Sequence, residues 1–391
     1  MRKITLGQLN INDTGKKYVN DALDSNRLSA GKYTARFERE FAALHGCSDG
    51  VFCNSGTSAL QIALAALKEH FHYTDGDEVL VPAITFIATS NVVLQNNLTP
   101  VFVDVDPTTF NMDPAKIEEK ITSRTRCILP VHLFGLPADM IAIWMVADKY
   151  NLQILEDSCE TMFAGIEEQS VGSFGDLACF STYVAHLIVG GVGGLVTTSD
   201  PALADLCRSF MAHGRDSIYT NIDQDDEAND LLEQMVQRRY SFERMGYSYR
   251  CTEMEAAIAL SELEHWERNI TIRRTNAEYL TRQLRDLTGF LQLPVTPAGY
   301  THSFMMYPMV LASTVKRDQF LLFLERRGIE TRYLFPLLTQ PFYQKLFPGL
   351  AAQYPVAQRL ATQGFFIGMH QGLTLGDMDY VSDTIHEFFG V

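Results

Sequence analysis

Short apolar runs alternate with longer mixed runs through the first half of the chain. The short runs are rich in Val, Ile and Leu, as buried strands are, and they lie at residues 77–82, 100–105, 126–131 and 153–157. The mixed runs have the length of helices and lie at residues 85–96, 114–121 and 138–150. Strands separated by helices of about ten residues are typical of βαβ units. The pattern predicts an α/β fold with a mostly parallel central sheet between layers of helices.

Beyond residue 175 the pattern changes. Two short strands are predicted at 177–181 and 194–198, and they flank a glycine-rich stretch. Residues 221–239 are rich in acidic and amide side chains, and the start of this segment is predicted to be an exposed loop.

The length of 391 residues is too great for one ordinary hydrophobic core. A helical pattern without Pro or Gly runs from Thr252 to about Leu287 and leads out of the strand-rich part. We therefore predict a large domain at 1–251, including the N-terminal segment, and a small C-terminal α+β domain at 252–391.

Charge and cysteine content exclude several classes of protein. The net charge of −15, from 47 acidic against 32 basic residues, argues against nucleic-acid binding. No run approaches the roughly 20 apolar residues of a membrane span, and the start of the chain does not resemble a signal peptide. The seven cysteines are scattered without a CxxC pair, which predicts reduced thiols in a cytoplasmic protein and no metal site.

Residues 54–60 combine small and hydroxyl side chains just before an apolar helical run. Gly56 permits close approach of the backbone, and Thr57 and Ser58 carry hydroxyl groups. Because a helix N-terminus presents free N–H groups, this segment is a candidate phosphate-binding site. An ordinary Ser/Thr helix cap is the alternative.

Asp157 ends a predicted buried strand, and ligands of open α/β sheets bind at the carboxyl ends of strands. A helix cap is the alternative role for this carboxylate. Phe86 follows another strand, where an aromatic side chain more often joins the core. Ser181 precedes the glycine-rich stretch, and Glu160 could be a plain surface acid. A lone histidine such as His186 is more often structural than catalytic.

The order and spacing of several motifs together resemble the DegT/DnrJ/StrS family of sugar aminotransferases, which use pyridoxal phosphate (PLP). The motifs lie at residues 55–57, 81–86, 103–106, 130–135, 155–160 and 245–250. The resemblance extends from about Leu23 to the C-terminus. It implies the type I aspartate-aminotransferase fold and an active site formed across a homodimer interface.

In that family the position of His186 is normally the lysine that binds the cofactor as a Schiff base. Histidine cannot form an imine, but it can move protons, so the resemblance implies a catalytic acid/base at His186. It implies that Asp157 keeps the pyridine nitrogen protonated. The other implied cofactor contacts are the phosphate for Gly56, Thr57 and Ser181, the ring face for Phe86 and the ring hydroxyl for Glu160.

The segments 183–186 and 366–373 resemble a subgroup in which histidine replaces the lysine, the 3-dehydratases of nucleotide-linked 4-keto-6-deoxy sugars. This resemblance implies PLP and its amine form, pyridoxamine phosphate (PMP), a nucleotide-sugar substrate and an amino donor such as glutamate. A sugar aminotransferase without the covalent anchor is one alternative. A catalytically silent PLP-binding homologue is another.

Three features of the sequence depart from the family pattern. The chain has no cysteine between Cys207 and Cys251, where iron–sulfur members carry a cluster, so no iron–sulfur cluster is expected. Val192 stands where the glycine-rich loop usually has an acid. Ser248 stands where an asparagine often reaches the neighbouring subunit's cofactor phosphate. His213 is a weaker candidate for a functional role.

Overall fold

The computed structural model describes residues 2–216 and 232–391. The start of the predicted loop at 221–239 lies outside these residues. The helices are α1 (Asp13–Asp24), α2 (Lys32–Leu44), α3 (Gly56–His70), α4 (Ile87–Gln95), α5 (Met140–Tyr150), α6 (Pro201–Met211), α7 (Leu232–Arg238), α8 (Glu253–Leu263), α9 (Trp266–Gln283), α10 (Arg317–Arg326), α11 (Pro341–Leu346), α12 (Pro355–Gln363) and α13 (Leu375–Phe389). The strands are β1 (Asp49–Cys53), β2 (Glu78–Pro82), β3 (Thr99–Val103), β4 (Thr125–Ile128), β5 (Gln153–Asp157), β6 (Gly165–Ile166), β7 (Gln169–Ser170), β8 (Leu177–Ser181), β9 (Gly194–Thr198), β10 (Leu291–Gln292), β11 (Met306–Leu311), β12 (Thr331–Tyr333) and β13 (Gly364–Gly368).

A seven-stranded sheet with the order β1-β9-β8-β5-β4-β2-β3 forms the centre of the strand-rich part. Strand β9 pairs antiparallel with both of its neighbours, and the remaining pairings are parallel. The predicted α/β fold with a mostly parallel sheet is therefore confirmed. Strands β1, β8, β5 and β2 point the same way, so their carboxyl ends meet at one edge of the sheet.

Two predicted helical segments differ in the structure. Residues 114–121 form two short 3₁₀ turns, Pro114–Lys116 and Glu118–Lys120, because the segment buries Ile117 while its other side chains remain largely accessible. The helical pattern from Thr252 to Leu287 is divided between α8 and α9. Helix α8 packs against α1 and α2, whereas Ala277 and Leu280 in the second half of α9 belong to the hydrophobic cluster of the second sheet. One straight helix would not bury both of these apolar faces.

The C-terminal part contains a second, antiparallel sheet with the order β10-β11-β13-β12. Its hydrophobic cluster includes Leu324, Ile367 and Val381, and Ile4 joins it through a bridge to Ile329. Helix α8 packs in the larger cluster of the first sheet. The predicted boundary between 251 and 252 stays a prediction. Within the described residues, no helix has the length and apolarity that crossing a membrane requires.

Candidate active site

A cavity of about 360 Å³ opens where the carboxyl ends of the parallel strands meet. All of the residues predicted for the site line it. They are Gly56, Thr57, Phe86, Asp157, Glu160, Ser181 and His186. The parallel pairing explains this convergence, because each residue lies at or shortly after the carboxyl end of a strand. The side of the cavity nearest the second sheet is formed by Met305, Met306, Arg332, Phe335 and Phe366.

The N-terminus of α3 forms one end of the cavity. Ser55 caps this helix, and its Oγ accepts a hydrogen bond from the backbone N–H of Ser58 at 3.1 Å. The Ser58 hydroxyl donates to Asn54 Oδ1 at 2.7 Å and is buried, so Ser58 does not line the cavity. Gly56 and Thr57 do line it, in the first helical turn, where backbone N–H groups lack helical partners.

Close packing at Gly56 brings α3 against the strand ends. A Cβ atom on Gly56 would lie 2.8 Å from Cys159 Sγ and 2.8 Å from Ser181 Cβ. The glycine-rich loop approaches the same turn, because Gly193 forms a bridge to Ser55. A side chain at Gly56 would therefore push the helix N-terminus away from β8.

Replacing Gly56 with alanine is expected to destabilise the protein by about 1–3 kcal/mol and to weaken cofactor binding, because the added methyl group overpacks the contact with Ser181. Urea unfolding and a PLP titration measure the two effects. Gly289→Ala is the matched control, since a Cβ there meets nothing within 4 Å. Equal stability and PLP affinity in the two variants would show that the turn tolerates a side chain.

Asp157 forms the floor of the cavity at the end of β5. Its carboxylate accepts hydrogen bonds from Thr89 Oγ1 at 2.7 Å and from the backbone N–H of Cys159 at 3.1 Å. Thr85 Oγ1 lies 2.8 Å from Thr89 Oγ1 and extends this chain of hydroxyl groups. Burial raises the pKa of Asp157, and these hydrogen bonds act in the opposite direction. A cationic partner in the cavity would favour the ionised carboxylate further.

Glu160 is buried in the cavity wall rather than exposed on the surface. Its Oε2 accepts a hydrogen bond from the backbone N–H of Phe134 at 3.0 Å. Burial, together with the charge of Asp157, raises the pKa of Glu160 to about 8. The carboxyl group therefore retains a proton at neutral pH and can donate a hydrogen bond into the cavity.

Phe86 lies beside the cavity and not in the core. Its side chain is 57% exposed, and its ring meets that of Phe335 edge-on at a centroid distance of 6.2 Å. An exposed ring at the rim of a cavity has a free face for a flat ligand.

His186 lies half-buried on the loop between β8 and β9. Its backbone N–H donates to the Tyr183 carbonyl at 2.9 Å, and Arg273 Nη2 donates to the His186 carbonyl at 3.4 Å. On the ring, Nδ1 lies 3.5 Å from Met305 Sδ. Because a thioether only accepts, this contact favours the tautomer with the proton on Nδ1 and leaves Nε2 able to accept a proton.

The surroundings keep the His186 imidazole neutral. Desolvation, with the charge of Arg273 as a second cause, lowers the pKa of His186 to about 4. A neutral imidazole at pH 7 is in the form that a base requires.

We expect the His186 ring not to titrate between pH 8 and 5, because its pKa of about 4 lies below this range. Nitrogen-15 NMR of histidine-labelled protein measures this, with His186→Asn to assign the signal. His386 is the internal control: desolvation lowers its pKa, but hydrogen bonds to Ser382 and Asp286 outweigh it and the net shift is upward. A His186 midpoint near the ordinary value of about 6.5 would contradict the desolvated position.

Other candidates lie away from the cavity or were missed. His213 Nε2 and Ser248 Oγ lie 3.2 and 3.1 Å from Arg250 Nη2, and none of the three lines the cavity. The role of Ser248 at a neighbouring subunit stays a prediction. Sequence reasoning missed Met305 and Arg332, whose positions near the cavity depend on the packing of the second sheet against the first.

The donors in this cavity fit pyridoxal phosphate. The α3 N-terminus and nearby hydroxyl groups suit its phosphate, and the Asp157 carboxylate suits a ring nitrogen that must hold a proton. Together with the sheet topology, they define the class as a PLP-dependent enzyme of fold type I. The chain belongs to the DegT/DnrJ/EryC1/StrS aminotransferase family, whose model matches residues 10–386. The predicted family is thus confirmed.

Relatives of both predicted activities are similar to this chain. A GDP-perosamine synthase of Caulobacter vibrioides is 34% identical over 383 residues, which are 97% of this chain and 96% of the relative. A dTDP-4-dehydro-2,6-dideoxy-D-glucose 3-dehydratase of Saccharopolyspora spinosa is 32% identical over 376 residues, which are 93% of this chain and 81% of the relative. The solved structure of E. coli GDP-4-keto-6-deoxy-D-mannose-3-dehydratase with bound hydrated PLP matches with a TM-score of 0.88, 27% identity and coverage of 98% and 100%.

Proposed function

We propose that this protein is a PLP- and PMP-dependent 3-dehydratase of a nucleotide-linked 4-keto-6-deoxy sugar, with His186 as the acid/base. One observation carries this proposal. The imidazole of His186 lines the same cavity as Asp157, and no lysine lines that cavity among the described residues. Residues 217–231, which lie outside the described residues, contain no lysine.

The chain's own residues would hold the cofactor at three points. Gly56, Thr57 and Ser181 bind its phosphate, Asp157 keeps its ring nitrogen protonated, and Phe86 covers its ring. Bound as the amine, the cofactor supplies the electron sink and the two electrons that reduce the sugar. The protonated Glu160 carboxyl group donates to the ring hydroxyl.

His186 moves protons at the reacting carbons. With Nδ1–H directed to Met305 Sδ, Nε2 takes a proton from the cofactor carbon that bears the amine. The resulting imidazolium returns a proton to the departing C3 hydroxyl group, which leaves as water. In the net reaction, glutamate would supply the two electrons that the loss of the C3 oxygen requires, and the products would be the 3-deoxy, 4-keto sugar, ammonia and 2-oxoglutarate.

The comparisons support the substrate class. Two of the similar proteins are named as 3-dehydratases of sugars linked to dTDP or GDP, and the third is a synthase of a GDP-linked sugar. A nucleotide-linked keto sugar is the ligand that these names share.

The test is to incubate the PLP-loaded protein with glutamate and either the GDP- or the dTDP-linked 4-keto-6-deoxy sugar. Mass spectrometry should detect a product that has lost one oxygen atom, together with one 2-oxoglutarate per turnover. An aminated sugar that keeps its C3 oxygen would reject dehydration.

Amination is the second candidate, and the 34% identity to a GDP-perosamine synthase favours it. The absence of a lysine from the described lining of the cavity disfavours it, because in the family that side chain normally moves the proton and releases the aminated product. The same incubation separates the two activities, since amination keeps the C3 oxygen and adds nitrogen to the sugar.

A catalytically silent homologue is the remaining alternative. Turnover of either sugar that vanishes in His186→Asn would eliminate it. The homodimer, the cytoplasmic location and the independence from an iron–sulfur cluster stay predictions. Sedimentation of the protein with and without PLP addresses the first of these.

A further inference from the structure

The cavity has an uneven distribution of charge. The carboxyl, imidazole and guanidinium groups that line it, within the described residues, belong to Asp157, Glu160, His186 and Arg332. The first three are accounted for by the proposed cofactor contacts and proton transfer. Arg332 is the member of this set that lies on the second sheet, and it has no role in the proposed cofactor contacts or proton transfer.

The position of Arg332 follows from the pairing of the edge strand β12. Arg332 stands directly opposite Phe366 of β13, and residues opposite one another in an antiparallel pair share a face of the sheet. Phe366 lines the cavity. The neighbouring pair Tyr333 and Phe365 belongs to the other face, where Phe365 is fully buried in the second core. The register therefore directs Arg332 toward the cavity.

The guanidinium of Arg332 is not neutralised by the described part of the protein. Its hydrogen bond joins Nη1 to the Thr331 carbonyl at 2.7 Å, and no described carboxylate lies within 4 Å of it. The acids nearest in sequence are engaged elsewhere, since Glu330 accepts from the backbone N–H of Leu6 and Glu325 accepts from the backbone N–H and the hydroxyl of Thr331. Several N–H donors of Arg332 are therefore available at the cavity.

We propose that Arg332 binds the anionic group of a ligand that enters the cavity, either a carboxylate of the amino donor or the diphosphate of the nucleotide sugar. The proposal rests on the proposed function, because both ligands are taken from it. A planar guanidinium with free donors matches carboxylate and phosphate oxygens in pairs. In a protein of net charge −15, a local cation at the cavity would attract an anionic ligand there.

The experiment measures binding of three unreactive probes, glutarate, GDP and dTDP, to the PLP-loaded protein by calorimetry. Arg332→Gln should weaken the binding of one probe class by about tenfold to a hundredfold, the range expected for lost hydrogen bonds to a charged group. Weaker binding of glutarate by Arg332→Gln would identify the carboxylate of the amino donor as the ligand of Arg332. Weaker binding of GDP or dTDP would identify the diphosphate of the nucleotide sugar. Arg332→Lys should retain part of the affinity, because it keeps the positive charge but loses the planar pair of N–H donors.

Arg326→Gln is the matched control, because it removes the same charge at a residue that is exposed on α10 and does not line the cavity. It should bind every probe as the unaltered protein does. Unchanged binding of all probes by Arg332→Gln would overturn the proposal and leave the proposed function intact. An unaltered protein that binds none of the probes and turns over neither sugar would overturn the proposed function, and the role of Arg332 with it.

Discussion

His186→Asn is expected to lower the rate of C3 dehydration by about 10²- to 10⁴-fold, the range that general acid–base groups contribute. Asparagine keeps polarity and approximate size but has no titrating nitrogen, so proton transfer at the cofactor carbon is lost. The cofactor should still bind, since the phosphate contacts and Asp157 do not depend on the imidazole. Single-turnover analysis of the sugar in the PMP-loaded protein measures the chemical step, and a PLP titration measures binding.

The control for this result is His213→Asn, which removes a histidine that does not line the cavity. It should leave the single-turnover rate close to that of the unaltered protein. A His186→Asn protein that dehydrates the sugar at the original rate would show that another group moves the proton. Loss of PLP binding in His186→Asn would instead assign a structural role to the ring.

His186→Lys tests the position of this side chain independently of catalysis. A lysine at this place should reach the cofactor aldehyde, because the resemblance assigns the anchoring lysine to the same loop position. Borohydride reduction followed by mass spectrometry should then find the cofactor attached to residue 186. If no cofactor is found attached to residue 186, the side chain at this position lies out of reach of the cofactor.

The sequence was sufficient to predict the large sheet and the residues at its carboxyl edge. Buried parallel strands produce nearly continuous apolar runs, and some of these runs end at a candidate residue, as β5 does at Asp157 and β8 at Ser181. Once those strands lie parallel, their ends must converge, so local patterns determine a long-range arrangement. The predicted site residues consequently line one cavity, although their individual roles stay predictions.

The sequence did not reveal groups whose position depends on packing between the two sheets. Met305 reaches His186 because the cluster that contains it also contains the loop residue Leu187. Arg332 reaches the cavity because of the β12–β13 register, and the three residues of β12 are too few to show a pattern. The low pKa of His186 and the raised pKa of Glu160 depend on burial, which no local motif encodes.

Asp157→Asn is expected to weaken PLP binding by about tenfold to a hundredfold, because an ionised hydrogen bond to the ring nitrogen is replaced by a neutral one. The rate of the sugar half-reaction should fall by about 10²- to 10³-fold, since the neutral amide no longer holds the proton that makes the ring an electron sink. A PLP titration and single-turnover assays of the PMP-loaded protein at saturating cofactor measure the two effects separately.

Two further variants identify the cause of the Asp157→Asn defect. Asp148→Asn makes the same change at an exposed position on α5 and should alter neither measurement. Thr89→Val removes the hydroxyl that donates to Asp157 Oδ2 at 2.7 Å and should produce a smaller loss, since the carboxylate remains. The carboxylate's charge, rather than the surrounding hydroxyl groups, is then the requirement. Full PLP affinity and turnover in Asp157→Asn would show that the ring nitrogen does not bind at Asp157. The assigned orientation of the cofactor would then be wrong.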